Sequence, residues 1–382
     1  VRVLVISHPS VAPRYRRKFD LIAEMGEVRV RLVVPQAWPE EARRVVFEPS
    51  SAPSWAVGLP VVWEGYYARY FYRRGLARQF RDFRPDIVHV EEEPYSICAG
   101  QALWMAKRYA PTARFIFRTS LSTDIRLKVL GRPFLRAIER RVLRRADAAF
   151  VLSERAAGIV RRHGYTGRIY VFPNGVDTRI FRPLGGDVRV RVRREVGAVD
   201  GFLVGYVGRL AHFKGIEDLV EAVARTPGTR LLLVGDGELR PALSRRVEES
   251  GLGSRALFVG AQPPERVAEL VHAMDVLVLP SRTSPLWVEF FGRALAEAMA
   301  CGVPAIGSSS GEIAATLGDG GLVFPEGDVG ALCQAIERVR GDAALRDDLR
   351  ERGLARVRSL YAWEAVAQNT LSAYVEVLGR GG

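Results

Sequence analysis

The chain has 382 residues, enough for two or three domains, with 48% hydrophobic and 26% charged residues. That balance excludes a disordered, collagen-like or low-complexity chain, and three scattered cysteines (Cys98, Cys301, Cys333) exclude a disulfide framework or a zinc site. A net charge of +13 leaves nucleic acid, an anionic membrane surface or an acidic substrate as partners to be tested against the motifs.

In chain order, strand-like runs at 1–6, 28–34, 87–90, 115–117, 148–152 and 168–172 alternate with helical patterns, one of them at 134–145. A segment rich in Pro, Asn and Gly follows, and around Pro183 the alternation restarts. Strands are expected at 202–207, 230–234, 256–259, 276–279, 303–306 and 322–324. Helices are expected at 217–225, 241–250, 265–272, 293–300, 329–339 and 343–358. Alternating strands and helices imply parallel sheets, so the chain reads as two Rossmann-like α/β domains, 1–183 and 184–360. A final apolar helix over 361–378 must dock on one of them. No run of about 18 apolar residues and no signal-like leader is found, so a cytoplasmic protein is expected.

Two segments carry candidate chemistry. After the strand at 202–207, Gly208 and Arg209 open a loop that ends in Lys214 and Gly215, where a helix begins. Helix N-termini attract anions, and two cations there suit a diphosphate. An ordinary strand–turn–helix with solvated charges has the same pattern. Further on, Leu286 and Trp287 precede Glu289, Phe290, Phe291 and Gly292, and Glu297 follows inside the next helix. Free N–H groups near Gly292 could receive hydroxyls or phosphate, and two carboxylates could grip two parts of an extended ligand. A surface helix with two solvated glutamates is the alternative.

The order and spacing of these motifs resemble the retaining GT4-type glycosyltransferases of the GT-B fold. Gly208-Arg209 with Lys214-Gly215 resembles that family's diphosphate motif, and Glu289 with Glu297 its pair of glutamates seven residues apart. The segments 233–238, 311–325 and 172–183 resemble their usual neighbours. The resemblance implies two Rossmann-like domains with a donor/acceptor cleft between them. It implies that Arg209 and Lys214 hold the diphosphate of a nucleotide-sugar donor and that Glu297 takes the ribose. It also implies that Glu289 and the Phe290–Gly292 backbone hold the sugar, and that backbone near Gly260 meets the base. The final helix would return to the first domain. Fixed cations can stabilise a departing phosphate, and no Asp-x-Asp occurs, so no metal or other cofactor is expected.

The first domain departs from the family pattern. His8 and Ser10 stand where many members have a Gly-Gly loop, and Arg118, followed by Ser120, stands where many have a His. His8, Ser10, His89, Glu91, Arg118 and Ser120 are the expected acceptor-side or cleft residues, with a structural role for the histidines and a solvated turn for the acids at 91–93 as alternatives. Residues 1–183 hold 33 Lys+Arg against 17 Asp+Glu, so the excess charge lies on the acceptor side. Arginines interleave with aromatics over 66–83, as they do in interfacial helices and also in helices whose apolar face meets a core. The resulting expectation is metal-independent, retaining sugar transfer to an unidentified acceptor, with a lipid-linked or anionic one and peripheral membrane contact on the cytoplasmic face in view. A GT-B epimerase or phosphorylase, or a basic nucleic-acid-binding protein, is the alternative. No zinc spacing or basic tail supports nucleic acid, and none is expected as a partner.

Overall fold

The computed structural model describes residues 1–40, 43–121, 123, 133–285 and 287–379; Lys128 and Leu286 lie outside them. The chain forms two compact units, Val1–Pro173 with Trp363–Gly382, and Asn174–Ala362.

The first unit contains, in chain order, β1 (Arg2–Ile6), β2 (Arg29–Pro35), the hairpin β3 (Ala37–Glu40) and β4 (Arg43–Val46), and β5 (Ala56–Leu59). A second hairpin, β6 (Val61–Val62) and β7 (Phe71–Tyr72), precedes β8 (Ile87–Val90), β9 (Arg114–Thr119), β10 (Ala148–Val151) and β11 (Arg168–Val171). Seven of these strands make a parallel sheet in the order β11-β10-β9-β8-β1-β2-β5. Helices cover both faces of such a sheet, so its central strands read as continuous apolar runs, and Val3, Leu4, Val5 and Ile6 are all buried. The sheet grows from β1 through β2 and then resumes on the other side at β8. Loops leaving neighbouring strands diverge at such a reversal and open a crevice at the strands' C-terminal ends.

The second unit repeats the plan with β12 (Phe202–Val207), β13 (Thr229–Val234), β14 (Ala256–Gly260), β15 (Val276–Leu279), β16 (Ala305–Ser308) and β17 (Gly321–Phe324). Their order is β14-β13-β12-β15-β16-β17, all parallel, with the reversal at β12 and β15.

The helix Trp363–Gly379 belongs to the first unit, where Ala367, Leu371 and Tyr374 join the core and the Tyr374 hydroxyl lies 2.7 Å from Nδ1 of His89. The division of the chain falls after Pro173, not after Pro183. Val176 N–H donates to the Tyr361 carbonyl at 2.7 Å, and Phe181 is buried in the second core, which fixes this segment to the second unit.

Two basic stretches bear on where the charge lies. The segment 66–83 is not one helix. Gly75, at φ 88°, starts a short helix, Leu76–Phe83, while Phe71–Tyr72 pair in the hairpin and Tyr70 and Tyr72 are buried. The cations at 14–18 sit on the helix Pro13–Glu24, but Arg16 and Lys18 are buried, Arg16 over the Phe47 ring and Lys18 in an ion pair with Glu91.

Candidate active site

In the second unit the loops after β12 and β15 touch through glycine. Gly215 has φ 64°, and a Cβ there would lie 2.1 Å from the Pro280 carbonyl oxygen. Only glycine allows this approach, and it places Lys214 Nζ 2.6 Å from Oε2 of Glu289. The same oxygen accepts the Ser281 hydroxyl at 3.0 Å. Glu289 is buried, so its charge is compensated by these two donors and is not a solvated surface charge. Trp287 packs at a tilt of 39° against Phe213 with ring centroids 4.3 Å apart, and Lys214 Nζ lies 4.7 Å from the Trp287 ring centre. Behind Glu289, its carbonyl accepts Glu312 N–H at 2.9 Å, and Gly311 leaves room for that carbonyl, which a Cβ would meet at 2.0 Å.

Both helices that leave the reversal begin on a left-handed glycine with no capping side chain: Ile216–Ala224 on Gly215, and Arg293–Ala300 on Gly292. In each, the third helical N–H turns back to the starting glycine's carbonyl, Asp218 to Gly215 at 3.0 Å and Leu295 to Gly292 at 2.9 Å, and the helix's positive pole lies at this end. Phe291 is buried and its carbonyl accepts the Thr316 hydroxyl, whereas Phe290 is partly exposed. Glu297 sits one turn further on, half-buried. Surrounding protein desolvates its carboxyl and pushes its pKa up to about 7, with Arg293 opposing. Arg209 follows Gly208, which lies in the left-handed region at φ 150°, and its guanidinium pairs with Glu238 at 3.1 Å in the open. Gly260 ends β14 at φ 72°, and its carbonyl accepts Gly235 N–H at 2.9 Å.

In the first unit, a cavity of about 330 Å³ opens at the reversal, lined by His8, Tyr67, Glu91, Glu92, Glu93 and Arg118, among others. His8 Nδ1 lies 2.7 Å from Oε2 and 2.9 Å from Oε1 of Glu92. Oε1 also accepts the His8 backbone N–H at 2.8 Å and the Tyr70 hydroxyl at 2.6 Å. Burial alone would raise the Glu91 carboxyl; the charges of Lys18 and Arg118 and the Lys18 hydrogen bond outweigh it and hold the pKa at about 2. Glu93 takes the hydroxyls of Thr119 and Ser120, and its carboxyl is raised by burial.

The chain matches two family patterns, "Glycosyltransferase Family 4" over residues 21–180 and "Glycosyl transferases group 1" over residues 191–356. It is 34% identical over 278 residues to a 2-deoxystreptamine N-acetyl-D-glucosaminyltransferase of Streptomyces fradiae, covering 69% of this chain and 63% of that one. It is 31% identical over 310 residues to a D-inositol 3-phosphate glycosyltransferase of Mycobacterium bovis, covering 77% of this chain and 62% of that one. The chain therefore spans under two thirds of these relatives' own lengths. The fold matches a sucrose-phosphate synthase from Thermosynechococcus elongatus (TM-score 0.74, 24% identity, 99% of both chains) and Anabaena HepE solved with UDP (TM-score 0.73, 17% identity, 98% of this chain and 100% of that one). The chain belongs to the GT4-type glycosyltransferases. Its two Rossmann-like units are those of the GT-B fold.

In this glycosyltransferase the structure brings Lys214, Glu289 and the Gly292 helix start together on one reversal, with Gly208 and Arg209 on the adjoining loop. His8, Glu91, Arg118 and Ser120 share the first-unit cavity. Two expected cavity residues are corrected. Ser10 is buried, its hydroxyl bonded to that of Ser7 at 2.8 Å, because the short 3₁₀ turn Pro9–Val11 folds it inward. His89 is fully buried beneath the helix Trp363–Gly379, and burial keeps its ring neutral with a pKa of about 3. Sequence reasoning missed Ser281 and Glu238 as partners of Glu289 and Arg209. It also took Glu91 for the leading acid of its run, whereas Glu92 is the one that holds His8. Alternation along the strand end does not predict which of three consecutive glutamates turns toward a loop histidine.

Proposed function

We propose that this glycosyltransferase moves a sugar from a nucleoside-diphosphate donor to an acceptor hydroxyl, with retention and without a metal. The observation that carries the reading is the Lys214–Glu289 pair at the β12/β15 reversal, next to two uncapped helix starts. An ammonium has three N–H donors; one serves Glu289 and two remain for phosphate oxygens. Charge developing on the departing diphosphate meets Lys214 and the helix poles, fixed before the bond breaks, and the exposed Arg209 beside them. The free lone pairs of Glu289 suit sugar hydroxyls, and Glu297 suits the ribose. The family's same-face attack, with the leaving phosphate taking the acceptor proton, gives retention. HepE solved with UDP and with UDP-glucose supports a nucleotide-sugar donor. One relative named for 2-deoxystreptamine and one for D-inositol 3-phosphate support a small polar ring as acceptor; the first-unit cavity is the acceptor subsite.

A panel of nucleotide sugars, incubated with and without candidate acceptors, tests this. Nucleotide release that depends on an acceptor is the expected result, and release without transfer would favour an epimerase or phosphorylase. Lys214→Ala and Glu289→Gln are each expected to lower turnover at least a hundredfold, with a lowered melting temperature in Lys214→Ala, which leaves the buried Glu289 without its cation. Full turnover in either would overturn the assignment.

A second observation supports contact with an anionic membrane surface. A groove of about 910 Å³ runs between the helices Ile97–Tyr109 and Pro133–Arg145, with Trp104 and Phe134 exposed on it and Lys107, Arg140, Arg141, Arg144 and Arg145 around them. Desolvation, and then repulsion from Arg145 and Arg141, lower the Lys107 ammonium below its usual range. Aromatic side chains ringed by crowded cations complement an anionic lipid interface. Co-sedimentation with phosphatidylglycerol vesicles, and not with phosphatidylcholine, is expected at low salt, weakened about tenfold by Trp104→Ser with Phe134→Ser. No co-sedimentation at low salt would end this reading.

A further inference from the structure

The geometry points to His8 as the residue that receives the acceptor hydroxyl, with Glu92 as its positioning residue. This rests on the sugar-transfer reading above and adds the acceptor-side chemistry to it.

The argument begins with a tautomer. An ionised carboxylate only accepts hydrogen bonds, and Glu92 accepts three: from Tyr70, from the His8 backbone and from the His8 ring. The ring proton therefore lies on Nδ1. In the neutral imidazole the lone pair is then on Nε2, on the side of the ring away from Glu92. The ring is also fixed in orientation. Trp38 packs against it with centroids 4.7 Å apart, the Tyr70 edge meets it at 5.9 Å, and Tyr67 stacks at 6.5 Å. His8 lines the cavity and its side chain keeps 20% of its surface open, whereas Glu92 behind it keeps 1%. A base held by a buried carboxylate, and itself part of a cavity wall at a sheet reversal, is an arrangement for accepting a proton-bearing group.

The group it accepts is a hydroxyl, or a neutral amine, on a small ring that stacks beside Tyr67. In the transfer, the acceptor oxygen forms its bond to the anomeric carbon while the bond from that carbon to the diphosphate breaks, its electron pair leaving on the nucleoside diphosphate. The O–H is held by Nε2 before the reaction and turns to the departing diphosphate oxygen as the new bond forms, so the hydroxyl proton ends there. His8 holds the hydroxyl for attack and returns unchanged. The charged and titratable groups around His8 are Glu91, Glu92 and Glu93 after β8, Arg118 on β9, and Tyr67 and Tyr70.

The test uses the full chain, a donor nucleotide sugar, and transfer measured from pH 5 to 9, with UDP affinity and melting temperature read beside it. In His8→Gln, transfer at saturating donor is expected to fall about tenfold, through the acceptor KM and kcat together. UDP affinity is expected to stay within twofold. In Glu92→Gln, the acceptor KM is expected to rise with UDP affinity kept, because the ring loses the carboxylate that fixes its tautomer. His8→Asn repeats the measurement should His8→Gln melt early. Unchanged acceptor KM and kcat in folded His8 variants overturn the proposal. Failure of the unsubstituted protein to transfer any sugar, with UDP still bound, overturns the underlying reading and takes the proposal with it.

Discussion

At the residue scale, Glu297 is the group whose charge state is most finely set. Its folded-state pKa of about 7 lies above the ordinary carboxylate value, so folding disfavours the charged form. Fold stability is therefore complete below about pH 4.5 and declines as the pH rises toward 7. Glu297→Gln is expected to stabilise the protein at pH 8 by about 1–2 kcal/mol, after discounting for its partial exposure, and to change little at pH 5. Nucleotide affinity should run the other way. It rises through pH 7 in the native protein as the carboxylate forms, and is weaker and flat in the variant. Thermal melts and calorimetric titrations with UDP at pH 5 and 8 read both trends; a destabilised variant at pH 8 would contradict the burial argument. The glutamate pair was legible because its spacing spans a helix start. The partners that hold Glu289, Ser281 and Lys214, sit at sequence distances that only the fold closes.

At the element scale, the alternation of strands and helices was readable because central parallel strands are apolar on both faces. The edge was not. β5 is four residues, Ala-Val-Gly-Leu, with only Ala56 fully buried, and it carries no run to recognise. The hairpin β6–β7 and the short helix after Gly75 divide a stretch whose aromatics and arginines imitate one amphipathic helix. The glycine-backed loops of the second unit make a sharper prediction. Gly215→Ala must push against the Pro280 carbonyl while holding a left-handed backbone. It should cost about 1–3 kcal/mol of stability and move Lys214 away from Glu289. A melting temperature lowered by several degrees, together with lost turnover, is the expected outcome. Native behaviour in both would show that the two loops do not depend on this contact.

At the scale of the whole molecule, the units redraw the charge. The first unit, with its returning helix, holds 32 Lys+Arg against 18 Asp+Glu, a net of +14, and the second holds 24 against 25. Part of the first unit's excess is internal, since Lys18 and Arg16 are buried. Five outward cations, Lys107, Arg140, Arg141, Arg144 and Arg145, gather beside Trp104 and Phe134. At 0.1 M salt the screening length is about 10 Å, so vesicle binding through this groove should weaken steeply as salt rises, while UDP binding to the near-neutral second unit should change less.

The helix Trp363–Gly379 has a consequence for the newborn chain. The second unit is one continuous stretch and can close as soon as residues 174–362 have left the ribosome. The first unit, although begun earlier, stays open over His89 and Phe150 until the chain comes back with Tyr374. Completion therefore runs against the order of synthesis: the half made first is finished last.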